Sequence, residues 1–461
     1  MNESQAAIKL KSSEALILTL ILLTGLSFTI IKYNIVPHVP VVMAIFILFL
    51  YGLIKKVPMS ELEKGMIEGA KSGLGAIMLF FFIGMLIASW MASGTIPTFI
   101  YLSLEVVNGS YFYAIAFVVT AIIGMSIGSS LTTAATLGVA FISVSSALEL
   151  SIAITAGAVI SGAFFGDKMS PLSDTTNLAS MVVKVDIFEH IKNMTWTTIP
   201  AFVISFILFA FLSPKDASAS FEKINLLKET LLKLDLVHFY SIIPFLLLSI
   251  LAIMRVSAML TLAIGIISAL LLSIFVQKDF TFQFMMELLF SGYRSSSGVE
   301  EVDALLARGG MESMMFSISL VLLALALGGL LFKLGVVPAL LNGIAHLLFK
   351  VPALIFSTVM TAIGINLLVG EQYLSILLTG NTFQDSYKKA GLHLKNLSRI
   401  LEDAGTVINP LVPWGVCGVF LTGVLGVPTL EYLPFTFFCL ISPVLTIIYG
   451  FTGFTIVKNK S

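Results

Sequence analysis

Charged residues and cysteines are scarce in this chain of 461 residues. Asp, Glu, Lys and Arg make up only 11% of it, whereas about a quarter is usual in a soluble domain, and 57% of the residues are hydrophobic. The two cysteines, Cys417 and Cys439, are too few for a zinc cluster or a disulfide scaffold. Basic and acidic residues balance at 26 each, so the net charge does not indicate a nucleic-acid partner.

Long apolar runs account for most of the sequence. A run of about 20 such residues crosses a lipid bilayer as a helix. The first run follows Lys9 and Lys11 but lacks a small-residue cleavage site, so we interpret it as a retained span rather than a signal peptide. We therefore expect an all-α polytopic membrane protein with spans at about 15–31, 37–54, 72–92, 111–127, 132–165, 195–212, 237–254, 256–276, 313–332, 336–349, 352–369, 404–425 and 432–453.

The polar stretch 213–236 separates these runs into two sets. We expect a first membrane repeat over 1–212, this connector, and a second membrane repeat over 237–461. Two further segments, 183–193 and 386–401, carry apolar and charged residues at helical spacing, and we predict that both form helices lying in the membrane interface.

The two halves share weak sequence matches at a nearly constant offset, with an insertion at about 293–312 in the second half. Chance similarity between apolar segments is the alternative to a true repeat. A repeated membrane half with broken helices is typical of secondary transporters, and the halves are inverted if each crosses the membrane an odd number of times. The matched pairs are Gly94 with Gly335, Pro97 with Pro338, Gly124 with Gly364, Pro171 with Pro410, and Glu189 with Glu431.

The segment GDKMSPLSDTTNLAS, at 166–180, concentrates charge and hydroxyl groups inside an apolar region. Gly162, Gly166 and Pro171 predict an interrupted helix, and Ser170 can cap the helix that follows. A helix broken at membrane depth needs a protein-lined polar cavity, where hard oxygen ligands can bind an alkali cation. The candidate ligands are Asp174, Ser173, Thr175, Thr176 and Asn177.

Parts of this segment also have a purely structural interpretation. In a soluble protein, SPLSD would be an ordinary helix start with a first-turn acid. Asp167 adjoins Lys168, so these two side chains either form a structural ion pair or Asp167 takes a direct part in ion binding.

A second polar interruption, EDAGTVINPLVPWGVCG, covers 402–418. We expect Thr406 and Asn409 to contribute oxygens opposite Asp174, with Glu402 and Asp403 as secondary candidates. Earlier polar segments at 128–138 and 370–382 are compatible with hairpin tips that face a cavity, although Ser and Thr also pack within membrane helices. Their candidate residues are Ser129, Ser130, Thr132, Thr133, Glu371, Gln372, Asn381 and Thr382.

Three motifs, GAFFGDKMSPLSDTTNLAS, SGVEEVDALLARGGMESMM and GTVINPLVPWGVCG, resemble segments of the NhaC-type Na⁺/H⁺ antiporter family, over about residues 15–455. The resemblance implies two inverted repeats with discontinuous helices, re-entrant hairpins and a scaffold able to support elevator-like motion. It also implies Na⁺ and H⁺ as coupling ions without another cofactor. Because the family includes Na⁺-coupled malate–lactate exchangers, a small organic acid is the alternative substrate, and Li⁺ is a further candidate cation.

The residue types favour cation exchange over other functions. One carboxylate that binds either a proton or Na⁺ is sufficient for Na⁺/H⁺ antiport. An organic acid needs positive charge, and Lys168 with the helix N-termini after Ser170 and Asn409 is what remains, because the arginines are expected in loops or at the interface. These are Arg255, Arg294, Arg308 and Arg399.

Two other classes of protein are less well supported. An intramembrane enzyme would place a histidine near a nucleophile, yet the five histidines lie mostly at the ends of predicted spans, and Na⁺ is the only metal we expect. The histidines are His38, His190, His238, His346 and His393. A channel remains an alternative that saturable, counter-ion-dependent flux would exclude. The lysines flanking the first two runs and ending the chain predict cytoplasmic termini in the cell membrane, and a homodimer is compatible with the sequence.

Overall fold

The computed structural model describes residues 6–33, 35–106, 111–214, 221–254, 256–277, 280–299, 302–303, 306–345 and 350–459. Within these ranges the regular structure is helical, apart from one isolated antiparallel bridge between Leu392 and Lys458. The predicted all-α fold is therefore confirmed. Arg255 and His346 lie outside the described residues.

The first half of the chain forms ten helices within its described residues. Ser130–Ala147 contains a π-helical turn at Ala134–Gly138. The helices are α1 (Ser12–Tyr33), α2 (His38–Ile54), α3 (Met59–Ser72), α4 (Leu74–Ala92), α5 (Thr95–Val106), α6 (Phe112–Ile127), α7 (Ser130–Ala147), α8 (Ile152–Met169), α9 (Asp174–Val182) and α10 (Ile187–Leu212).

The second half continues this pattern. A π-helical segment, Leu401–Thr406, and a 3₁₀ turn, Asn409–Leu411, separate α19 from α20. The helices are α11 (Phe221–Lys233), α12 (Ile243–Ile253), α13 (Ala258–Val276), α14 (Phe282–Ser291), α15 (Met311–Lys333), α16 (Val336–Ala345), α17 (Val351–Val369), α18 (Gln372–Lys389), α19 (Lys395–Ile400), α20 (Val416–Leu425), α21 (Thr429–Tyr432) and α22 (Phe437–Thr452).

Eight helices in the described part of the chain are long and apolar enough to cross a membrane, or up to ten if each of two bent pairs counts as one span. The protein is thus a multi-pass membrane protein. One predicted span was wrong: the run at 132–165 is two helices, α7 and α8, which a turn at 148–151 separates. Glu149 has a positive φ of 56° in this turn, and Ser151 caps α8 by accepting a hydrogen bond from the Ile154 N–H.

Neither predicted interfacial helix forms as expected. Residues 187–193 are the first turns of α10, a continuous helix of 26 residues, since Asp186 caps it and no break follows. The segment 386–401 is divided between the end of α18 and the buried α19. Arg399 is also buried, contrary to the expectation of a loop or interface position, and its Nη1 donates a hydrogen bond to Thr455 Oγ1 at 3.0 Å.

Two glycines expected to interrupt α8 instead allow it to pack closely on α6. A Cβ atom on Gly162 would lie 2.3 Å from the Phe117 carbonyl oxygen, and one on Gly166 would lie 2.5 Å from the Met125 backbone nitrogen. The helix continues through both glycines to Met169. Their function is therefore close helix–helix contact of the kind that small residues provide in membranes.

The halves pack in a reciprocal way around the two broken helices. In the first half α6 packs on α8, and in the second α17 packs on α19 and the π-helical segment. Across the halves, α9 packs on α18 while α20 packs on α7. The matched glycines Gly94 and Gly335 share a left-handed conformation, with φ of 76° and 74°, and so do Gly128 and Gly370, which end α6 and α17, with φ of 70° and 73°. This exchange of contacts agrees with a two-fold relation, and the inverted orientation stays a prediction.

Helices from the two halves also pack on each other away from the two breaks. Helix α3 packs on α15, and α4 packs on α13. Lys333 forms an ion pair with Glu61 and holds the pKa of that carboxyl below its usual range. The connector at 213–236 includes α11, whose Leu227 and Leu231 are buried against the core.

We predict that Gly162→Ala destabilises the protein by about 1–3 kcal/mol, because its Cβ would overlap α6 backbone. Gly364→Ala is the matched control in α17: nothing lies within 4 Å of its Cβ position, and alanine favours a helix by up to about 1 kcal/mol. Thermal unfolding of the detergent-solubilised variants measures both effects. Equal melting temperatures for the two variants would contradict the close packing of α6 on α8.

Candidate cation site

The first helix break extends from Ser170 to Ser173, four residues later than Gly166. Pro171 has no N–H, and Ser170 adopts an extended conformation before it. Ser173 caps α9 by accepting a hydrogen bond from the Thr176 N–H at 3.3 Å. The local sequence therefore ends one helix and starts another inside the protein.

The second break is stabilised by two buried amides. Asn409 Oδ1 accepts a hydrogen bond from the Cys417 N–H at 2.8 Å, and its Nδ2 donates to Asn366 Oδ1 at 2.9 Å. Asn366 Nδ2 in turn donates to the Gly405 carbonyl at 2.7 Å. Asn409 thus satisfies backbone and amide groups at the break instead of facing Asp174. Asn366 is not among the residues predicted from the sequence, although an amide in the apolar α17 is a signal for such a role.

A cavity of about 80 Å³ lies where the first break meets the start of α7, α18 and α20. Apolar residues of α4 and α13, including Phe80, Ile83 and Leu262, close the opposite side. A neighbouring cavity of about 240 Å³ shares part of this lining. The polar residues that line the first cavity are Ser129, Ser130, Thr132, Asp167, Asp174, Thr175, Gln372 and Tyr373.

Asp174 lies at the junction of the two cavities, exposed at the first turn of α9. Its carboxylate has no hydrogen-bond or ion-pair partner among the described residues. Thr175 follows it in the lining and exchanges a hydrogen bond with Ser173, with 3.0 Å between the two hydroxyl oxygens. An unpartnered carboxylate beside hydroxyl groups is suited to bind a cation or a proton.

Asp167 lines the same cavity from the last turn of α8 and is 5% exposed. Its Oδ2 accepts a hydrogen bond from Ser130 Oγ at 2.7 Å, which links the first break to the start of α7. Ser129 caps that helix and bonds Thr132 with 3.0 Å between the hydroxyl oxygens. The turn before α7 therefore contributes hydroxyl groups to the cavity wall.

The alternative that Asp167 and Lys168 form an ion pair was wrong. Lys168 Nζ instead pairs with Asp403, which comes from the second break, and both side chains are fully buried. Thr197 donates a hydrogen bond to Asp403 Oδ1 at 3.1 Å, and Thr446 donates one to Oδ2 at 2.5 Å. Asp403 is thus fully engaged in an ion pair that joins the two breaks.

Glu371 and Glu402 lie in different surroundings. Glu371 caps α18, with Oε2 accepting a hydrogen bond from the Leu374 N–H at 2.7 Å, and it is not among the cavity-lining residues. Glu402 is fully buried in the π-helical segment, and neither of its oxygens has a hydrogen-bond partner. The Thr406 hydroxyl faces Glu402 outside hydrogen-bonding geometry and also lacks a partner.

The remaining candidates lie away from the cavity lining or are engaged in local structure. Thr176 Oγ1 donates a hydrogen bond to the Lys168 carbonyl, and Asn177 lines only the larger cavity while its Nδ2 donates to the Pro171 and Ser173 carbonyls. Asn381 is exposed, and Thr382 bonds the Leu378 carbonyl of its own helix. Both follow the α18 cap by ten residues or more, about 15 Å along the helix. Gln372 is the better-placed residue of α18, since its buried Oε1 has no partner.

The part of the chain that forms both breaks matches a known protein family. Residues 162–454, which contain both breaks and α18, match the model of the Na⁺/H⁺ antiporter family. The chain belongs to this family.

Full-length relatives agree with this assignment. The Na⁺/H⁺ antiporter NhaC of Alkalihalophilus pseudofirmus is 41% identical over 425 residues, which is 92% of each chain. The NhaC antiporter of Bacillus subtilis is 43% identical over 90% of this chain and 92% of its own. The malate-2H⁺/Na⁺-lactate antiporter of the same organism is 33% identical over 94% and 93%, so relatives with different substrates share most of the length of this antiporter-family chain.

We predict that Asp403→Asn destabilises the protein by about 3–5 kcal/mol, because it leaves the buried Lys168 ammonium without its counter-charge. Glu229→Gln is the control, since the Glu229–Lys233 pair is exposed and such pairs contribute at most about 1 kcal/mol. Thermal unfolding in detergent provides the comparison. The double variant Lys168→Met, Asp403→Leu removes both charges and should be more stable than Asp403→Asn. If it were not, the loss of stability in Asp403→Asn could not be assigned to an unpaired charge.

Proposed function

We propose that this protein exchanges Na⁺ for H⁺ across the cell membrane by alternating access, with both termini on the cytoplasmic side. The observation that carries the proposal is the unpartnered carboxylate of Asp174 at the junction of the two cavities. The NhaC relatives, named as Na⁺/H⁺ antiporters and matched over at least 90% of this chain, support the same assignment.

The composition of the cavity suits a dehydrated alkali cation. Carboxylate, hydroxyl and amide oxygens are hard ligands, and Asp167 and Asp174 supply the negative charge. Ser129, Thr132 and Gln372 Oε1 can complete a shell of oxygen atoms around an ion held between them. We infer that Asp174 is the shared Na⁺ and proton site, supported by Asp167 and these neutral oxygens, and that Thr406 and Asn409 do not coordinate the ion.

The charges near the cavity disfavour an anionic substrate. The described residues that line either cavity include Asp167 and Asp174 but neither lysine nor arginine. Lys168 is close by, but its ammonium group is committed to Asp403. A free dicarboxylate would therefore face net negative charge, although the relative named as a malate–lactate antiporter makes organic acids a necessary comparison in transport assays.

The first test is flux into proteoliposomes under separate gradients of Na⁺, Li⁺, K⁺, malate and lactate. We expect Na⁺-driven proton movement, and Asp174→Asn should reduce it to the background of empty liposomes, because the amide has neither the charge nor the exchangeable proton. Asp385→Asn is the control, since that carboxylate is 84% exposed on α18. Exchange that survives in Asp174→Asn with the same pH dependence would refute Asp174 as the site, and flux driven only by malate or lactate would refute the proposed function.

A shared carboxylate also predicts competition between protons and Na⁺. As pH falls below the value at which Asp174 is half protonated, the apparent KM for Na⁺ should rise about tenfold per pH unit, since protons occupy the site. The maximal rate at saturating Na⁺ should stay nearly constant. Initial rates measured over a matrix of pH and Na⁺ concentration separate the two parameters. A maximal rate that falls with pH at constant KM would indicate that proton and cation bind at independent sites.

A further inference from the structure

Glu402 is the least compensated acidic side chain in the described part of the protein. It is fully buried, and both of its carboxylate oxygens lack a hydrogen-bond partner. A buried charge without hydrogen bonds costs several kcal/mol even after relaxation of its surroundings. Glu402 must therefore be neutral in this conformation or be neutralised by a bound ion.

No basic side chain in the described part of the protein forms an ion pair with Glu402. Asp167 and Asp403 are the neighbouring carboxylates, whereas the ammonium group of Lys168 is paired with Asp403 and the buried Arg399 donates a hydrogen bond to Thr455. The neighbouring helices contribute neutral groups: α18 places Ser375 and Ile376 near Gly405, and α22 places Thr446 on Asp403. Glu402 is also absent from the lining of both cavities, which separates it from the proposed cation site.

Local backbone structure indicates that this position has a special role. Leu401–Thr406 is a π-helical segment, and such segments occur frequently at functional sites because they redirect side chains within a helix. Here the segment places Glu402 directly before Asp403, and the ion pair between Asp403 and Lys168 connects this position to Asp167, the residue before Lys168 in α8. Asp167 itself lines the cation cavity.

We propose that Glu402 carries a second exchanged proton, which Na⁺ displaces from a distance. This inference rests on the proposed Na⁺/H⁺ exchange. A cation bound at Asp174 and Asp167 adds positive charge near Glu402 and so favours its ionised form, which releases the proton without competing for the same oxygens. The cavity carboxylate and Glu402 together exchange two protons for one Na⁺, and the transport cycle then moves net charge across the membrane.

The test measures proton release per bound Na⁺ with the full-length protein in weakly buffered detergent solution. Isothermal titration calorimetry gives Na⁺ binding, and a pH indicator gives the protons released. We expect Glu402→Gln to keep Na⁺ binding while the released protons fall by about one per Na⁺. Glu402→Asp should restore part of that release, and Glu63→Gln, on the exposed face of α3, should match the wild type.

The remaining outcomes would contradict either the role of Glu402 or the proposed function. If Glu402→Gln releases as many protons per Na⁺ as the wild type, Glu402 carries no exchanged proton. If the variant loses Na⁺ binding, Glu402 is a cation ligand, and if it fails to fold, its carboxyl is not a neutral group that an amide can replace. If the wild-type protein neither binds Na⁺ nor releases protons, the proposed function itself fails.

Discussion

The ion pair between Lys168 and Asp403 is the contact on which the arrangement of the two breaks depends. Each break leaves backbone groups and charged side chains inside an apolar protein, and this pair joins the end of α8 to the π-helical segment before α20. Hydrogen bonds from Thr197 and Thr446 satisfy the remaining carboxylate positions. Because the pair is dry, its loss would leave a charge that no solvent can compensate. It also removes the ammonium of Lys168 from the cavity, which keeps the cavity negative.

Local chemistry made much of the fold predictable. Hydropathy indicated a multi-pass helical protein, and Pro171 after Ser170 indicated the first break, although Ser173 rather than the predicted Ser170 caps the helix that follows. Contacts between distant residues were not predictable in this way. Asp167 and Lys168 are neighbours in sequence, but successive residues of a helix point about 100° apart, so they do not face each other. The partner of Lys168 is 235 residues away. Gly162 and Gly166 likewise looked like helix breakers because the close approach of α6 is invisible in a local pattern.

The five acidic side chains near the breaks show how environment separates residues of similar chemistry. Asp403 is paired with a lysine, Glu371 caps a helix, and Asp167 accepts a hydroxyl hydrogen bond. Asp174 alone combines an exposed carboxylate with the lining of both cavities, while Glu402 is buried without a partner. All five were predicted from the sequence, with Asp174 ranked first, but their separate roles were not, since burial and hydrogen bonding follow from the tertiary structure. Carboxyl groups in such different surroundings can take different acid–base roles.

Exchange requires that an empty site does not change its exposure from one side of the membrane to the other, because that would allow uncoupled leakage. The cavity offers a physical basis for this constraint. With neither Na⁺ nor a proton bound, Asp174 would carry its charge past the apolar wall formed by Phe80, Ile83 and Leu262, at a high desolvation cost. Either bound ion neutralises the carboxylate and lowers that cost. The occupied site therefore moves more readily than the empty one, because only the empty site would carry an uncompensated carboxylate past this apolar wall.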